Sequence, residues 1–475
     1  MTPTHDTFDR RRLLQWGSHG LATTAAYHLL QDSIPAAVPR TPQPGFPPTA
    51  KRAIQISLVG GMSHVDSFDH KPELDRNHGK SLKTDETPDI FFGRVGLLRK
   101  SDWEFRQRGR SGLWISDMFP HIAGMADELT LLRSLVSDSA NHTPALFFLN
   151  SGFGANGFPS TGSWISYGLG NESHTLPTFV VLPDGRGGPN GGASNWSSGF
   201  LPAQHQGVVF RGGERPVRDL FPATKLPAGA DAGTRSLLKA LNTPRQSGLG
   251  DDLIEARIRS YELAARMQLS VPEVSDLSGE PQHIQEAYGL QDKLTADCGR
   301  RCLLGRRLLE RGVRFVQVYS GGPIAGSPRA SWDAHESVRQ NHGLEASRID
   351  KPVAGLLGDL RQRGMLDDTL VIFTTEFGRT PFAQSAANAV GAGRDHNRYG
   401  FAGWLAGGGV KQGHSYGATD DVGWKAAENP MPWHDFHATL LHILGMDHTQ
   451  LSYYHNGIQR RLTNVHGEVH RGILS

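Results

Sequence analysis

Cysteine is almost absent from this chain of 475 residues. Only Cys298 and Cys302 occur, which excludes a disulfide framework as the main source of stability. The two lie four residues apart in a segment that predicts a helix, and we expect two small, buried side chains on one helix face. A thiol pair, or half of a site for a soft metal, is the alternative.

Charge imbalance and long apolar runs are also missing. Lysine and arginine total 49 against 47 for aspartate and glutamate, a net charge of +2, so charge gives no case for binding nucleic acid or a membrane surface. The apolar segment 16–30 is too short and too polar to span a membrane, and we expect no integral membrane span. Neither a G-x-x-x-x-G-K-[ST] loop nor a strand–G-x-G-x-x-G–helix unit stands out, so nucleotide binding by those routes is not expected.

The N-terminal region contains an arginine cluster followed by a weakly apolar segment. Arg10, Arg11 and Arg12 precede Leu13 and Leu14, an order typical of a twin-arginine export signal. We predict a signal and linker over residues 1–48, and a protein that is periplasmic or secreted through the twin-arginine pathway. An ordinary basic, disordered tail is the alternative.

The stretch 349–381 predicts a helix, a buried strand and a carboxylate, in that order. Apolar residues recur at helical spacing from Ile349 to Leu360, and Gly364 stands where a helix C-cap usually lies. The β-branched run Thr369–Thr374 predicts a buried parallel strand, which leads to Glu376. The carboxyl end of such a strand is where an open α/β sheet places its binding groups.

Strands and helices alternate along the rest of the chain, which predicts an α/β fold. We predict strands over 54–59, 130–136, 178–182, 313–319 and 401–406, and helices over 253–267, 298–311 and 434–446. A single domain is expected over residues 49–475, with long loop insertions near 72–116 and 185–250. The first insertion is expected to lie over the active face.

Four motifs follow one another in the chain: GGMSHVDSFD at 60–69, WDAH at 332–335, TEFGRTP at 375–381 and RDHN at 394–397. Together they resemble the DUF1501 family, sulfatase-like proteins of the alkaline-phosphatase superfamily, over about residues 50–465. The resemblance implies a three-layer α/β/α sandwich with a mixed, mainly parallel sheet. It also implies a divalent metal and chemistry on ester bonds.

The motifs supply the candidate metal ligands. Asp66 looks like the metal-binding aspartate that ends the first strand in the superfamily, with Asp69 as its competitor and a capping role as the alternative. Asp333 and His335 form an Asp-x-His pair, which offers one oxygen and one nitrogen ligand. We expect one or two ions of zinc, calcium or manganese, held by Asp66, His64, Asp333, His335, Glu376 and His396.

The segment Asn141–Gly152 resembles the sulfatase signature but departs from it at the nucleophile. His142 replaces the cysteine that becomes formylglycine in sulfatases, and no C-x-P-S-R sequence occurs. Thr143 is then a candidate hydroxyl nucleophile, and His142 is a candidate metal ligand or general base. Arg379 is a candidate for balancing Glu376 or for holding an anionic oxygen.

Two functions of different class remain. The first is an exported, metal-dependent hydrolase of a small anionic ester or sulfated glycan, cleaving a sulfate or phosphate ester without formylglycine. The second is a secreted, non-catalytic carbohydrate-binding or surface protein that kept the fold, suggested by the missing cysteine and by Phe377. The discriminating observation is whether the predicted ligands converge on one point.

Overall fold

A nine-stranded sheet forms the centre of this computed structural model. The structure describes residues 45–475 except 85–87, 212–215, 218–219, 221–232, 234–235, 238–251 and 325–328. Residues 1–44 of the predicted signal and linker, and half of the predicted insertion near 185–250, therefore lie outside the described residues.

The strands and helices follow in chain order. The strands are β1 (Arg52–Leu58), β2 (Phe105–Arg108), β3 (Leu113–Ser116), β4 (Leu129–Val136), β5 (Phe179–Leu182), β6 (Val208–Val209), β7 (Phe315–Ser320), β8 (Thr369–Thr375), β9 (Gly378–Ala383), β10 (Arg394–Asn397), β11 (Phe401–Ala406), β12 (His414–Tyr416), β13 (Ala418–Thr419), β14 (Ala426–Glu428), β15 (Met431–Pro432), β16 (Tyr453–His455) and β17 (Ile458–Arg460). The helices are α1 (Pro72–Arg76), α2 (Pro120–Ala123), α3 (His142–Ser151), α4 (Thr161–Leu169), α5 (Asp252–Ser275), α6 (Gln282–Ala287), α7 (Ala296–Glu310), α8 (Val338–Gln362) and α9 (Trp433–Ile443).

The central sheet is mixed and mainly parallel, as predicted. Its order is β12-β4-β11-β8-β1-β7-β5-β6, and β15 also pairs with β4. Strand β1 pairs in parallel with β7 on one side and with β8 on the other. Only β11 runs against its neighbours, β4 and β8, so the carboxyl ends of β4, β7 and β8 share one edge of the sheet.

Helices cover both faces of the sheet, which confirms the three-layer α/β/α sandwich. Val371 and Phe373 of β8 belong to a hydrophobic cluster that includes residues of α7 and α8. Leu370 and Ile372 belong to a second cluster, which includes residues of α3, α4 and α9. Side chains alternate along a strand, so these two clusters lie on opposite faces.

Helix α8 is longer than its predicted core. It begins after Ser337, whose side chain accepts a hydrogen bond from the amide of Gln340. The buried stripe continues toward the N-terminus through Val338 and His342, and a buried histidine is invisible to an apolar pattern. Gly364, with φ of +66°, follows the helix as the predicted C-terminal stop.

Both predicted insertions contain regular structure. The first, near 72–116, holds α1 and the hairpin β2–β3. The described part of the second holds β6, which pairs in parallel with β5 and extends the sheet. Residues from Pro42 to Ser475 form one compact unit. Among the helices that the structure describes, none is both long and apolar enough to cross a membrane.

Both cysteines are buried on α7, with their sulfur atoms 3.9 Å apart. The prediction of two small, buried side chains on one helix face is therefore confirmed. No disulfide joins Cys298 to Cys302.

Candidate metal centre

Four side chains from three segments meet at the carboxyl edge of the sheet. His142 is the first residue of α3, which follows β4. Asp333 and His335 lie in the connection from β7 to α8, and His396 lies in β10. One ligand atom from each of these four residues lies within 4.8 Å of the others.

Three imidazole nitrogens surround one carboxylate oxygen. Asp333 Oδ1 lies 2.7 Å from His335 Nε2, 3.3 Å from His396 Nε2 and 3.4 Å from His142 Nε2. The Nε2 atoms of His335 and His396 are 3.0 Å apart. Three of the six metal ligands expected from the motifs, Asp333, His335 and His396, are therefore brought together, and His142 joins them.

The second nitrogen of each ring contacts an oxygen atom. The contacts are His142 Nδ1 to Glu376 Oε1 at 2.8 Å, His335 Nδ1 to Gln384 Oε1 at 2.5 Å, and His396 Nδ1 to the Ala140 carbonyl at 2.6 Å. Ionised carboxylates, amide oxygens and backbone carbonyls only accept hydrogen bonds. Each Nδ1 therefore donates, and the Nε2 of each neutral ring is left with a bare lone pair.

Burial keeps these rings neutral at pH 7. It lowers the pKa of His142, and burial together with the charge of Arg379 lowers the pKa of His335 to about 3 and that of His396 well below its ordinary value. His142 Nε2 is buried and has no hydrogen-bond partner. The Nε2 lone pairs of His335 and His396 face each other only 3.0 Å apart. Buried lone pairs of this kind are unfavourable unless a cation lies between them, so the residues fit a metal ion.

Two arginines contact the carboxylate of Asp333. Arg379 Nη2 donates to Oδ1 at 2.7 Å, while Arg329 Nη1 donates to Oδ2. Arg379 is fully buried and also donates to the carbonyls of Gly60, Gly61 and Arg394. Burial lowers the pKa of Arg379 to about 10, which leaves it protonated at neutral pH.

These contacts give the two arginines different roles. Arg379 was predicted to balance Glu376 or to hold an anionic oxygen. Its N–H groups instead donate hydrogen bonds to Asp333 and to backbone carbonyls, so it positions the site. The side chain of Arg329 is 25% exposed and also pairs with the exposed Glu336 at 3.1 Å, so a ligand that arrives from solvent would meet it by displacing Glu336. Sequence reasoning missed Arg329; its spacing of four residues before Asp333 was the available signal.

Glu376 contacts a ring rather than joining the group of four. Its Oε1 accepts hydrogen bonds from His142 Nδ1 and from the amide of Gly60, both at 2.8 Å. Gly60 has φ of +120°, and a Cβ there would lie 2.5 Å from the amide nitrogen of Asp333. Only glycine permits this close approach between the turn after β1 and the Asp333 loop. The ligand role of Glu376 stays a prediction, and its observed contact orients His142.

His64 and Asp66 lie outside the group of four. Asp66 Oδ2 accepts from Ser63 Oγ at 2.5 Å and pairs with Arg394 Nε at 2.8 Å, with both charged side chains fully buried. Burial raises the pKa of Asp66, but the charge of Arg394 and the hydrogen bond from Ser63 outweigh it, so the net pKa is lowered. His64 Nε2 lies 2.8 Å from the Gly423 carbonyl. Their assignment as metal ligands stays a prediction, and the contact with Arg394 gives Asp66 a structural partner instead.

Thr143 lies beside a converging ligand at the start of α3. It is the second residue of the helix and is half-buried. The first helical hydrogen bond joins the amide of Ala145 to the carbonyl of Asn141, and Pro144 has no amide proton. The amides of His142 and Thr143 therefore stand outside the helical ladder, at the end where the helix dipole favours anions.

Sequence reasoning also missed Gln384 and the carbonyl of Ala140, which hold two of the rings. Neither stands in a motif, and a backbone carbonyl carries no sequence signal. Their role depends on the fold, because Gln384 follows β9 and reaches His335, while Ala140 precedes α3 and reaches His396.

A cavity of about 1110 Å³ opens elsewhere, at the carboxyl end of β5. None of the four converging residues lines it. Its buried guanidinium, Arg301, pairs with Asp297 at 2.7 Å and also donates to the Tyr319 carbonyl. We therefore take the histidine group, and not this cavity, as the functional site.

The sequence model of one protein family, described as "Protein of unknown function (DUF1501)", matches residues 50–474. The chain belongs to the DUF1501 family. This confirms the resemblance drawn from the four motifs. No curated protein matches this DUF1501 chain.

Solved structures similar to this DUF1501 protein share little sequence with it. The PsFucS1 sulfatase from Pseudoalteromonas sp. is 13% identical with a TM-score of 0.35, and the match covers 83% of this chain and 68% of that one. The lipoteichoic acid synthase LtaP from Listeria monocytogenes is 9% identical with a TM-score of 0.36, covering 88% and 76%. The phosphonate monoester hydrolase of Agrobacterium radiobacter is 14% identical with a TM-score of 0.33, covering 83% and 74%.

Proposed function

We propose that this protein is an exported, metal-dependent hydrolase of anionic esters, acting on a sulfate or phosphate ester. The observation that carries the proposal is the meeting of three bare imidazole nitrogens with the carboxylate of Asp333. Three nitrogen donors and one oxygen suit zinc, whereas calcium takes oxygen ligands. The measurement of metal content described below distinguishes zinc from manganese.

The residues of this group and its neighbours have different proposed roles in ester hydrolysis. His142, Asp333, His335 and His396 would hold a divalent cation, which would supply Lewis-acid chemistry. The hydroxyl of Thr143, next to His142 and at a helix N-terminus, is the proposed nucleophile: its oxygen would bond to the sulfur or phosphorus as the bond to the alcohol oxygen breaks, and its proton would end on the departing alcohol. Glu376 holds the proton on His142 Nδ1, which keeps Nε2 free as a ligand.

An anionic oxygen of the ester would find its positive partner in Arg329. This guanidinium is partly exposed and already touches the Oδ2 atom of Asp333. Its second terminal nitrogen, Nη2, pairs with the exposed Glu336 at 3.1 Å, and a sulfate or phosphate group would take the place of that carboxylate. Arg379 holds Asp333 Oδ1 from the buried side and so keeps the carboxylate aimed at the three rings.

The non-catalytic alternative predicts no need for a metal group of this kind. Three metal ligands expected from the motifs converge with His142, and the three rings have separate hydrogen-bond acceptors that fix their orientation. A protein that only binds a carbohydrate through its surface requires neither feature. This favours the hydrolase.

Metal content of the purified protein is the test. We expect about one zinc or manganese ion per chain in the wild type, measured by inductively coupled plasma mass spectrometry. The double variant His335→Ala, His396→Ala should lose it, while the exposed control His283→Ala should keep it. The loaded wild type should then cleave 4-nitrophenyl sulfate or 4-nitrophenyl phosphate.

The possible results separate the two functions. A wild type that binds no metal, even after incubation with excess ions, would contradict the hydrolase. Bound metal without cleavage of either ester, or of a panel of sulfated glycans, would favour the non-catalytic protein. Bound metal with cleavage, both lost in the double variant, would support the proposal.

A further inference from the structure

Two neighbouring aromatic residues of the first insertion touch the metal-ligand group. Phe91 stacks on the imidazole of His396, with ring centroids 4.9 Å apart and an interplanar angle of 28°. Phe92 presents an edge to His335, at 4.7 Å and 81°. The two phenyl rings pack against each other at 4.9 Å and 84°. The insertion thus reaches the face where the ligands converge.

Both phenyl rings are nevertheless open to solvent. Phe91 is 45% exposed and Phe92 is 50% exposed. A single exposed apolar side chain is ordinary on a protein surface. Two adjacent phenylalanines beside a converging set of ligands form an apolar surface at the place where a substrate must arrive, and such surfaces mark binding sites.

Hydrogen bonds hold this aromatic pair in place. The amide of Phe92 donates to Asp395 Oδ2 at 2.8 Å, and Asp395 Oδ1 accepts from the amide of His396 at 2.7 Å. Before the pair, Asp89 accepts from the hydroxyl of Tyr399 at 2.8 Å. The carboxylate of Asp395 therefore ties the aromatic pair directly to the strand of a ligand.

The chain after the pair is fixed as well. Gly96 donates to the carbonyl of Ala383 at 2.9 Å, and Ala383 donates back to Leu97 at 2.9 Å. Both contacts attach the insertion to the end of β9. An aromatic surface that is anchored on both sides loses little conformational entropy when a ligand binds to it.

We propose that Phe91 and Phe92 receive the organic part of the ester, and that this part is a ring with an apolar face. The inference rests on the proposed function and names its substrate class. The anionic head of such an ester lies at Asp333, Arg329 and the three histidines, and the attached ring packs on the two phenyl rings. Small alkyl esters would leave this surface exposed.

Two phosphonates test this without any turnover. Phenylphosphonate and methylphosphonate share the anionic head, contain no ester bond to cleave, and differ in the ring. Isothermal titration calorimetry on the metal-loaded protein gives their dissociation constants. Because each aromatic contact contributes modestly, we expect the wild type to bind phenylphosphonate about tenfold more tightly than methylphosphonate.

The variants assign that preference to the aromatic pair. Phe91→Ala with Phe92→Ala should reduce the preference to about twofold or less. Because both rings pack on metal-ligand histidines, the readout is the ratio of the two dissociation constants within each variant. Phe92→Leu, which keeps an apolar side chain without an aromatic ring, should give an intermediate preference. Tyr454→Ala, which removes another exposed aromatic ring, should behave as the wild type. Metal content and melting temperature show that each variant is folded and loaded.

Each result decides one claim. A wild type that binds both phosphonates equally, or a double variant that keeps the full preference for phenylphosphonate, would overturn the inference and leave the anionic-ester function standing. A loaded wild type that binds neither phosphonate would overturn the proposed function and the inference with it.

Discussion

At the scale of the residue, Gln384 holds His335 through a contact of 2.5 Å between Oε1 and Nδ1. Gln384→Ala removes this acceptor, so the imidazole can rotate or move its proton to Nε2. We expect the affinity for zinc to fall by about 10- to 100-fold, measured by competition with a chromophoric chelator. Gln384→Glu keeps an oxygen acceptor and should retain most of the affinity. Equal affinities of the wild type and the alanine variant would contradict this.

Asp184 provides a stability test that is separate from the metal. Its carboxylate accepts hydrogen bonds from Arg186 and from the amide of Gly321. Burial raises the pKa of Asp184, but the hydrogen bonds from Arg186 and the charges of Arg301 and Arg186 outweigh it and lower the pKa from 3.8 to about 2.

A lowered pKa in the folded state fixes the direction of the pH effect. The stabilisation from Asp184 is full above its unfolded pKa and is lost as pH falls from about 4 toward about 2. Asp184→Asn should lower the free energy of unfolding by about 2 kcal/mol at neutral pH, and by progressively less below about pH 4. Urea unfolding over a pH series measures this, with exposed Asp421→Asn as the control. A difference that stays constant with pH would refute the assignment.

The same scale shows what the sequence could and could not predict about the site. Asp333, His335 and His396 stand in motifs, and His142 stands at the nucleophile position, so residue type and context were sufficient to name them. The pairing of Asp66 with Arg394 joins residues 328 positions apart, and no local pattern reveals it. Arg329 stands four residues before Asp333, a spacing that the sequence shows, but only the folded loop shows that the two side chains pair.

At the scale of the element, periodicity predicted the core strands because β-branched runs such as that of β8 leave few alternatives. The boundaries failed where buried polar residues interrupt the pattern, as His342 does in α8. The insertion near 72–116 gave no periodic signal, since in β2 the exposed Arg106 and Gln107 stand side by side instead of alternating with buried residues. Element type therefore followed from the sequence more reliably than element length.

The start of α3 presents Thr143, the proposed nucleophile, and a substitution there tests its role. Thr143→Val removes the hydroxyl and keeps the shape of the side chain. We expect the turnover of a cleaved ester to fall by about a thousandfold or more, as for other lost nucleophiles, while Thr143→Ser keeps measurable activity. Metal content should not change, because Thr143 is not one of the four converging residues.

The contrary result would change the identity of the attacking group and leave the metal site as proposed. If Thr143→Val retains the activity of the wild type, the attacking group is water and not the hydroxyl of Thr143. If it loses both the metal and activity, Thr143 supports the start of α3, and the serine variant separates that support from catalysis.

At the scale of the whole molecule, the order of the strands delays completion of the sheet. Strand β1 pairs with β7 and β8, so Ile54 meets Val316 and Val371. Strand β4 can pair with β11 only after the chain has been synthesised beyond Phe401. Both cysteines are buried and unpaired, so the described fold needs no oxidising compartment to form. A chain of this kind can fold before it leaves the cytoplasm, which is what the twin-arginine pathway carries.

Substitution of the N-terminal arginine cluster tests the proposal that the protein is exported through the twin-arginine pathway. Replacing Arg10, Arg11 and Arg12 together by lysine keeps the positive charge but removes the arginine pair, so a charge-driven role would survive and twin-arginine export would not. We expect the wild type in the periplasm or medium, and the lysine variant in the cytoplasm, by immunoblotting of cell fractions. Arg76→Lys, an exposed change on α1, should be exported normally. Cytoplasmic wild type, or a lysine variant exported as well as the wild type, would refute the twin-arginine assignment. The metal centre would then have to function in the compartment where the protein is found.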